Sequence, residues 1–134
     1  MTLAFSTTVI QARLHALTNA IDGGGAAGLL NLYDGTRPAT GAAITTQNKL
    51  CAALFALPSA GSISGGTLTL AMGASVLALM TGVAAWGRIT DSTGAFVADL
   101  DVGATGSGKE VELSATQLYA GGEVAISVAS LVES

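Results

Sequence analysis

Val83-Ala-Ala-Trp-Gly-Arg-Ile-Thr90 and Ala95-Phe-Val-Ala-Asp-Leu-Asp-Val102, joined by Asp91-Ser-Thr-Gly94, decide how this chain folds. In the second segment Phe96, Ala98, Leu100 and Val102 fall on one side, and Asp99 and Asp101 fall on the other. That period of two is the pattern of a strand with one buried and one wet face. The link between the segments ends in Gly94, which supplies the positive φ that a tight hairpin needs. Further on, Val111 and Leu113 alternate with Glu110 and Glu112, and Gly121-Gly122 turns the chain into Val124-Ala-Ile-Ser-Val128.

Upstream, the same reasoning places strands at 67–72 and 76–80, a short strand over Gly28–Tyr33 stopped by Asp34-Gly35, and an apolar run over Leu50–Leu57 stopped by Pro58. With 109–113 and 123–132 this makes about eight strands at short intervals, which predicts a mainly β domain: an antiparallel two-sheet sandwich of jelly-roll-like topology. One helix precedes it. Ile10, Leu14, Leu17 and Ile21 recur at helical spacing over residues 7–22, with Ser6 or Thr7 to cap the start and Gly23-Gly24-Gly25 to end it. The polar side of the helix holds Gln11, Arg13, His15 and Asn19. The chain therefore divides into an amphipathic helix and glycine hinge over 1–25, able to act as an arm, and a β domain over 26–134.

Composition narrows the function. A chain of 134 residues is about one domain. Half its residues are apolar but only 4 % are aromatic, so the core is built from small aliphatic side chains. Charged residues make up 10 %, against about 25 % in an ordinary soluble domain, which leaves exterior for other protein to cover. The net charge of −4 and five scattered cations (Arg13, Arg37, Lys49, Arg88, Lys109) argue against a nucleic-acid partner. Leu68–Trp86 carries no charge and is long enough to raise a membrane span, but its glycines and strand alternation point to buried strands instead. The start of the chain lacks the basic and apolar blocks of a secretion signal.

The chemistry-bearing motifs are weak. Gly103-Ala-Thr-Gly-Ser-Gly-Lys109 fits the first seven positions of a phosphate-binding loop. The eighth is Glu110 where magnesium needs a hydroxyl, and the alternation of Glu110–Ser114 replaces the required helix with a strand, so the segment reads as a hairpin loop. Cys51 is the only cysteine and His15 the only histidine, which removes disulfides, His pairs and Ser-His-Asp triads within one chain. Asp99, Asp101, Glu110 and Glu112 could gather as a calcium site or stay as separate solvated acids. Trp86 and Arg88 lie two residues apart on one strand face, spaced for a cation–π pair, for core packing or for an interface anchor. Arg37, beside Pro38 in a loop, is a candidate contact to an acidic partner. No catalytic residue, cofactor or metal ligand emerges; the candidate partner contacts are Arg13, His15, Arg37, Pro38, Trp86 and Arg88.

Three segments carry a resemblance. Leu30-Asn-Leu-Tyr-Asp-Gly-Thr-Arg-Pro-Ala-Thr-Gly41, Thr81-Gly-Val-Ala-Ala-Trp-Gly-Arg-Ile-Thr-Asp-Ser-Thr-Gly94 with Asp101-Val-Gly103, and Glu110-Val-Glu-Leu-Ser114 followed by Tyr119-Ala-Gly-Gly-Glu-Val-Ala-Ile-Ser-Val128 resemble the head decoration, or cement, proteins of tailed bacteriophages, those of β-sandwich type. The resemblance implies a non-enzymatic virion protein, assembled in the bacterial cytoplasm, that binds the major capsid protein on the exterior of the assembled head as a dimer or trimer and stabilises it. Tail and head-fibre components share this wording. A carbohydrate-binding jelly roll is the competing class, and it would need exposed aromatics.

Overall fold

The computed structural model describes residues 4–132. Helix α1 (Thr7–Asp22) is followed by β1 (Leu29–Tyr33), β2 (Lys49–Ser64), β3 (Thr67–Met72), β4 (Val76–Leu77), β5 (Gly82–Val83), β6 (Trp86–Thr90), β7 (Phe96–Ala104), β8 (Val111–Leu113), β9 (Gln117–Leu118), β10 (Glu123–Val124) and β11 (Ile126–Val132). The mainly β content and the one helix follow the sequence, and Ser6 is the cap, its Oγ accepting from Val9 N at 3.2 Å.

The two-sheet jelly-roll sandwich does not form. Seven strands close into a barrel in the order β1-β2-β3-β11-β8-β7-β6, with β6 pairing back onto β1. Orientation is mixed: β7 and β8 run parallel, Val102 opposite Val111 and Ala104 opposite Leu113. Alternation is shared by sandwiches and small barrels, since both bury every second residue, so the pattern that gave the strands could not give the closure. Parallel neighbours usually need a crossover of a dozen or more residues. Here the strands overlap only at their ends, so residues 105–110 need only fold back far enough to restart alongside Val102, and the expected hairpin becomes a parallel return.

Two devices close the circle. Strand β2 pairs with β1 through Leu54, then from Phe55 onward with β3, with register shifts between Phe55 and Ala60. The irregularity spans Pro58, which has no N–H to give a ladder. At the other end β11 bridges β8 to β3. The alternate residues Leu30 and Leu32, Leu68 and Leu70, Leu100 and Val102, Val111 and Leu113 are buried and belong to one core. Each such side chain contributes about 1.5–3 kcal/mol by leaving water.

Helix α1 is seated on this barrel. Leu14 and Ile21 are buried within the common core, and both Asp22 carboxylate oxygens accept from Ser59 N of β2 at 3.2 Å. The chain returns from the helix so closely that a Cβ on Gly28 would lie 2.6 Å from Ile21 Cγ2, so only glycine fits there. The uncharged stretch 68–86 is divided among β3, β4, β5 and the start of β6. Among the described residues no helix is long and apolar enough to cross a membrane.

Candidate functional site

Most of the candidate residues meet on the outer wall of β1, β6 and β7. Tyr33 stands opposite Trp86, Trp86 opposite Asp101, and Arg88 opposite Asp99. Because Leu30, Leu32, Ile89 and Leu100 point into the core, these neighbours point out. Tyr33, Trp86, Arg88 and the Asp99 side chain are nevertheless dry, with Trp86 only 1 % exposed. The loop over residues 34–48 lies across them as a strap. Its base is pinned where the Asp34 carboxylate accepts from Asn48 N at 2.6 Å and Asn48 Nδ2 at 3.0 Å, which holds the Asp34 carboxyl below its ordinary range. Trp86 Nε1 donates to Asp34 O at 3.1 Å.

Beneath the strap the side chains form a stack. Tyr33 and Trp86 lie with ring centroids 4.6 Å apart and planes 15° from parallel. The Arg88 guanidinium carbon sits 5.5 Å from the Trp86 centroid and 5.3 Å from that of Phe96, between the two rings. Its Nε donates to Asp99 Oδ1 at 2.7 Å and its Nη2 to Asp99 Oδ2 at 3.0 Å, while Nη1 donates to Ala42 O at 2.8 Å. Gly41 N completes the carboxylate's shell at 3.0 Å. Burial works to raise the Asp99 carboxyl, but the Arg88 hydrogen bonds and the Gly41 N–H outweigh it and hold it below the usual range. The Asp99 bond raises Arg88 in turn, and burial pushes the Tyr33 hydroxyl up.

The expected wet face of β7 is therefore wrong at Asp99, whose side chain is 1 % exposed, and holds at Asp101, which is 45 % exposed and 3.3 Å from Arg37 Nη1. Arg37 and the half-buried Pro38 belong to the strap. Arg13 and His15 sit elsewhere, on the exposed side of α1, with the Arg13 guanidinium 4.8 Å over the Phe5 ring. The cluster is a mechanical clamp: the bidentate Arg88–Asp99 pair locks β6 to β7, and Asp34 O, Gly41 N, Ala42 O and Arg37 tie the strap to those strands.

The glycine-rich loop 103–109 holds its own anion. Gly106 N donates to Glu112 Oε1 at 3.1 Å and Gly108 N to Glu112 Oε2 at 2.8 Å. The backbone donors that would cradle a phosphate are thus turned to a carboxylate of the following strand. The other acids are spoken for separately, Glu110 Oε1 accepting from Asp101 N at 3.1 Å. Among the described residues no group of three or more His, Cys, Asp or Glu could hold a metal ion. Cys51 is buried in the core and burial pushes its thiol up to about 11, away from nucleophilic use at neutral pH.

A second surface escaped the sequence reading. Strands β4 and β10 pair Leu77 with Glu123, and β5 and β9 pair Val83 with Gln117, so residues 76–83 and 117–124 form a two-part ribbon beside the barrel. From sequence, strand 76–80 is expected to be buried. Leu77, Leu79, Met80, Val83 and Tyr119 are instead 45–65 % exposed. A charge-free apolar run is equally the pattern of a buried strand and of a contact surface, and only the parity set by Ala78, Ala84 and Leu118 pointing inward separates them. No family model, curated protein or solved structure matches the chain, so its function has to be argued from these surfaces.

Proposed function

We propose that this chain is a non-enzymatic structural protein of a bacteriophage virion, one that binds the exterior of the assembled head, with the major capsid protein as its partner, and stabilises the shell. The observation that carries the reading is the ribbon: the five large apolar side chains Leu77, Leu79, Met80, Val83 and Tyr119 stand 45–65 % exposed along it, in a chain with few charges. Surfaces of that kind mark protein contact sites. The clamp under the strap supports a mechanical role, because three of the five N–H donors of its buried cation are spent on Asp99 and Ala42 O. The capsid as partner rests on the resemblance of segments 30–41, 81–94 with 101–103, and 110–114 with 119–128, and the barrel replaces the sandwich that resemblance implied.

The test is co-sedimentation of the full chain with shells assembled without it and, in parallel, with unassembled shell subunits. Saturable binding to shells and none to subunits is expected, because a cement spans neighbouring subunits and gains from each added contact. Absence of binding to shells overturns the reading.

A further inference from the structure

Strands β3 and β11 pair only where Thr67, Leu68 and Thr69 meet Val132, Leu131 and Ser130. Beyond that they part: Leu70 and Met72 pair only with β2, and residues 126–129 only with β8. The parting opens a crevice of about 230 Å³, lined by Ala53, Met72, Val76, Val124 and Ile126. An apolar cavity of about 150 Å³ takes a benzene ring, so this space has room for a Leu or Phe side chain. Glu123 also lines the crevice and, as the cross-strand partner of Leu77, stands beside the open side chains of the ribbon. It is the only charged residue between positions 114 and 132, and residues 50–87 hold none. Every other acid among the described residues is answered from within the chain, by an arginine at Asp99 and Asp101 and by backbone N–H groups at Asp22, Asp34, Asp91, Glu110 and Glu112. Glu123 is exposed and, among the described residues, its carboxylate has no partner.

We propose that the crevice and the ribbon form one docking site for a segment of another protein in which a Leu or Phe side chain neighbours a Lys or Arg. The apolar side chain seats in the crevice, the cation meets Glu123, and the rest of the segment lies over Leu77, Leu79 and Tyr119. This deepens the proposed function and rests on it only for the protein that carries the segment, the major capsid protein. Charge chooses the occupant. A lone unanswered carboxylate among open apolar side chains, on a chain of net charge −4, favours a basic partner and opposes an acidic one or an anionic membrane. An anchor side chain in a pocket, ringed by contacts that exclude water, is where binding energy concentrates. The site is also ordered in advance. Ala78 N donates to Gly122 O at 2.8 Å, Gly121 N to Ala78 O at 2.9 Å, and Leu79 N to Leu50 O at 2.7 Å, which ties the ribbon to β2, so little conformational freedom is lost on docking.

Titration of the full chain with the peptide acetyl-Gly-Phe-Lys-Gly-amide, followed by backbone amide NMR shifts, tests this. Saturable shifts centred on Gly73, Ser75, Glu123 and Ala125 are expected, with an affinity that falls as salt is raised. The same peptide with Glu in place of Lys should bind roughly tenfold more weakly, and with Ser in place of Phe it should give no saturable shift. Glu123→Lys, at an exposed position, should leave circular dichroism unchanged and reverse the preference between the Lys and Glu peptides. Ser75→Trp, at an exposed residue of the crevice lining, should close it to every peptide. Absence of shifts at the crevice, or shifts indifferent to the peptide's charge, overturns the proposal. Co-sedimentation of wild type and Glu123→Lys with shells runs in parallel. Charge-dependent peptide binding with no shell binding leaves the site standing and overturns the capsid reading. Shells bound by a chain that shows no peptide shifts do the reverse, and shells bound equally by wild type and Glu123→Lys overturn the assignment of this site to the capsid protein.

Discussion

Asp99→Asn strikes the charged pair that joins β6 to β7 and receives the strap's Gly41 N–H. The substitution keeps the side chain's shape but removes the charge that meets Arg88 in two hydrogen bonds of 2.7 and 3.0 Å, in a setting where the two side chains are 11 % and 1 % exposed. An exposed pair would be worth 1 kcal/mol or less, roughly. At this burial, removing one partner strands a guanidinium that is largely shielded from water, which costs about 3–5 kcal/mol. Arg88 keeps Ala42 O and the two rings, so the lower end, about 3 kcal/mol, is the expectation. For a domain of this length that lowers the thermal midpoint by roughly 10 °C. The double variant Arg88→Met/Asp99→Leu removes both charges and should recover most of the loss, since a buried pair and an apolar replacement are often of similar stability. Urea and thermal melts of the wild type, the single and the double variant measure all three. A single variant within about 1 kcal/mol of wild type, as for a surface pair, would refute the clamp. So would a double variant no more stable than the single. The pH dependence has a definite sign. The folded carboxyl of Asp99 lies below its ordinary value of 3.8, so its contribution is present above that pH and is lost as the pH falls through the lower folded value. Asp99→Asn should therefore flatten the acid limb of the stability curve.

Three further outcomes are expected. Ile21→Ala, in a helix residue fully buried against the barrel, should cost about 2–4 kcal/mol in a urea melt, whereas an arm held away from the body would tolerate it without loss. Lys109→Ala should leave the fold unchanged and calorimetry should find no saturable binding of ATP with magnesium, because Glu112 already occupies the loop's N–H donors; Glu112→Ala should instead speed hydrogen exchange at Gly106 and Gly108. Cys51 should resist thiol reagents in the native protein at neutral pH, with a labelling rate that follows global unfolding, since its thiol is buried and pushed up to about 11.

Local pattern carried further in this chain than global closure. The helix, a cap at Ser6 or Thr7, the Gly94 turn and the pairing of Trp86 with Arg88 on one face are all short-range consequences of side-chain spacing, and each was legible, with Ser6 the cap that forms. Closure depends on β11 reaching β3 and on the parallel return from β7 to β8, contacts between residues far apart in the chain or matched only at strand ends, which alternation does not encode. Asp99 misled for a related reason. An acid alternating with apolar residues reads as solvent-facing, and only the strap arriving from residues 41 and 42 makes that face dry. The ribbon was hidden in the opposite sense, because the uncharged run through Leu77, Leu79 and Met80 has the composition of core and the position of surface.

The proposed stabilisation of the shell is read directly by the opening temperature of heated shells. Shells assembled without this protein are heated in parallel with shells saturated by the full chain, and light scattering or release of packaged contents reports when they open. A clear rise in opening temperature is expected, growing with occupancy and complete at saturation. Equal opening temperatures with and without saturating protein would contradict it, even where the protein is shown to be bound.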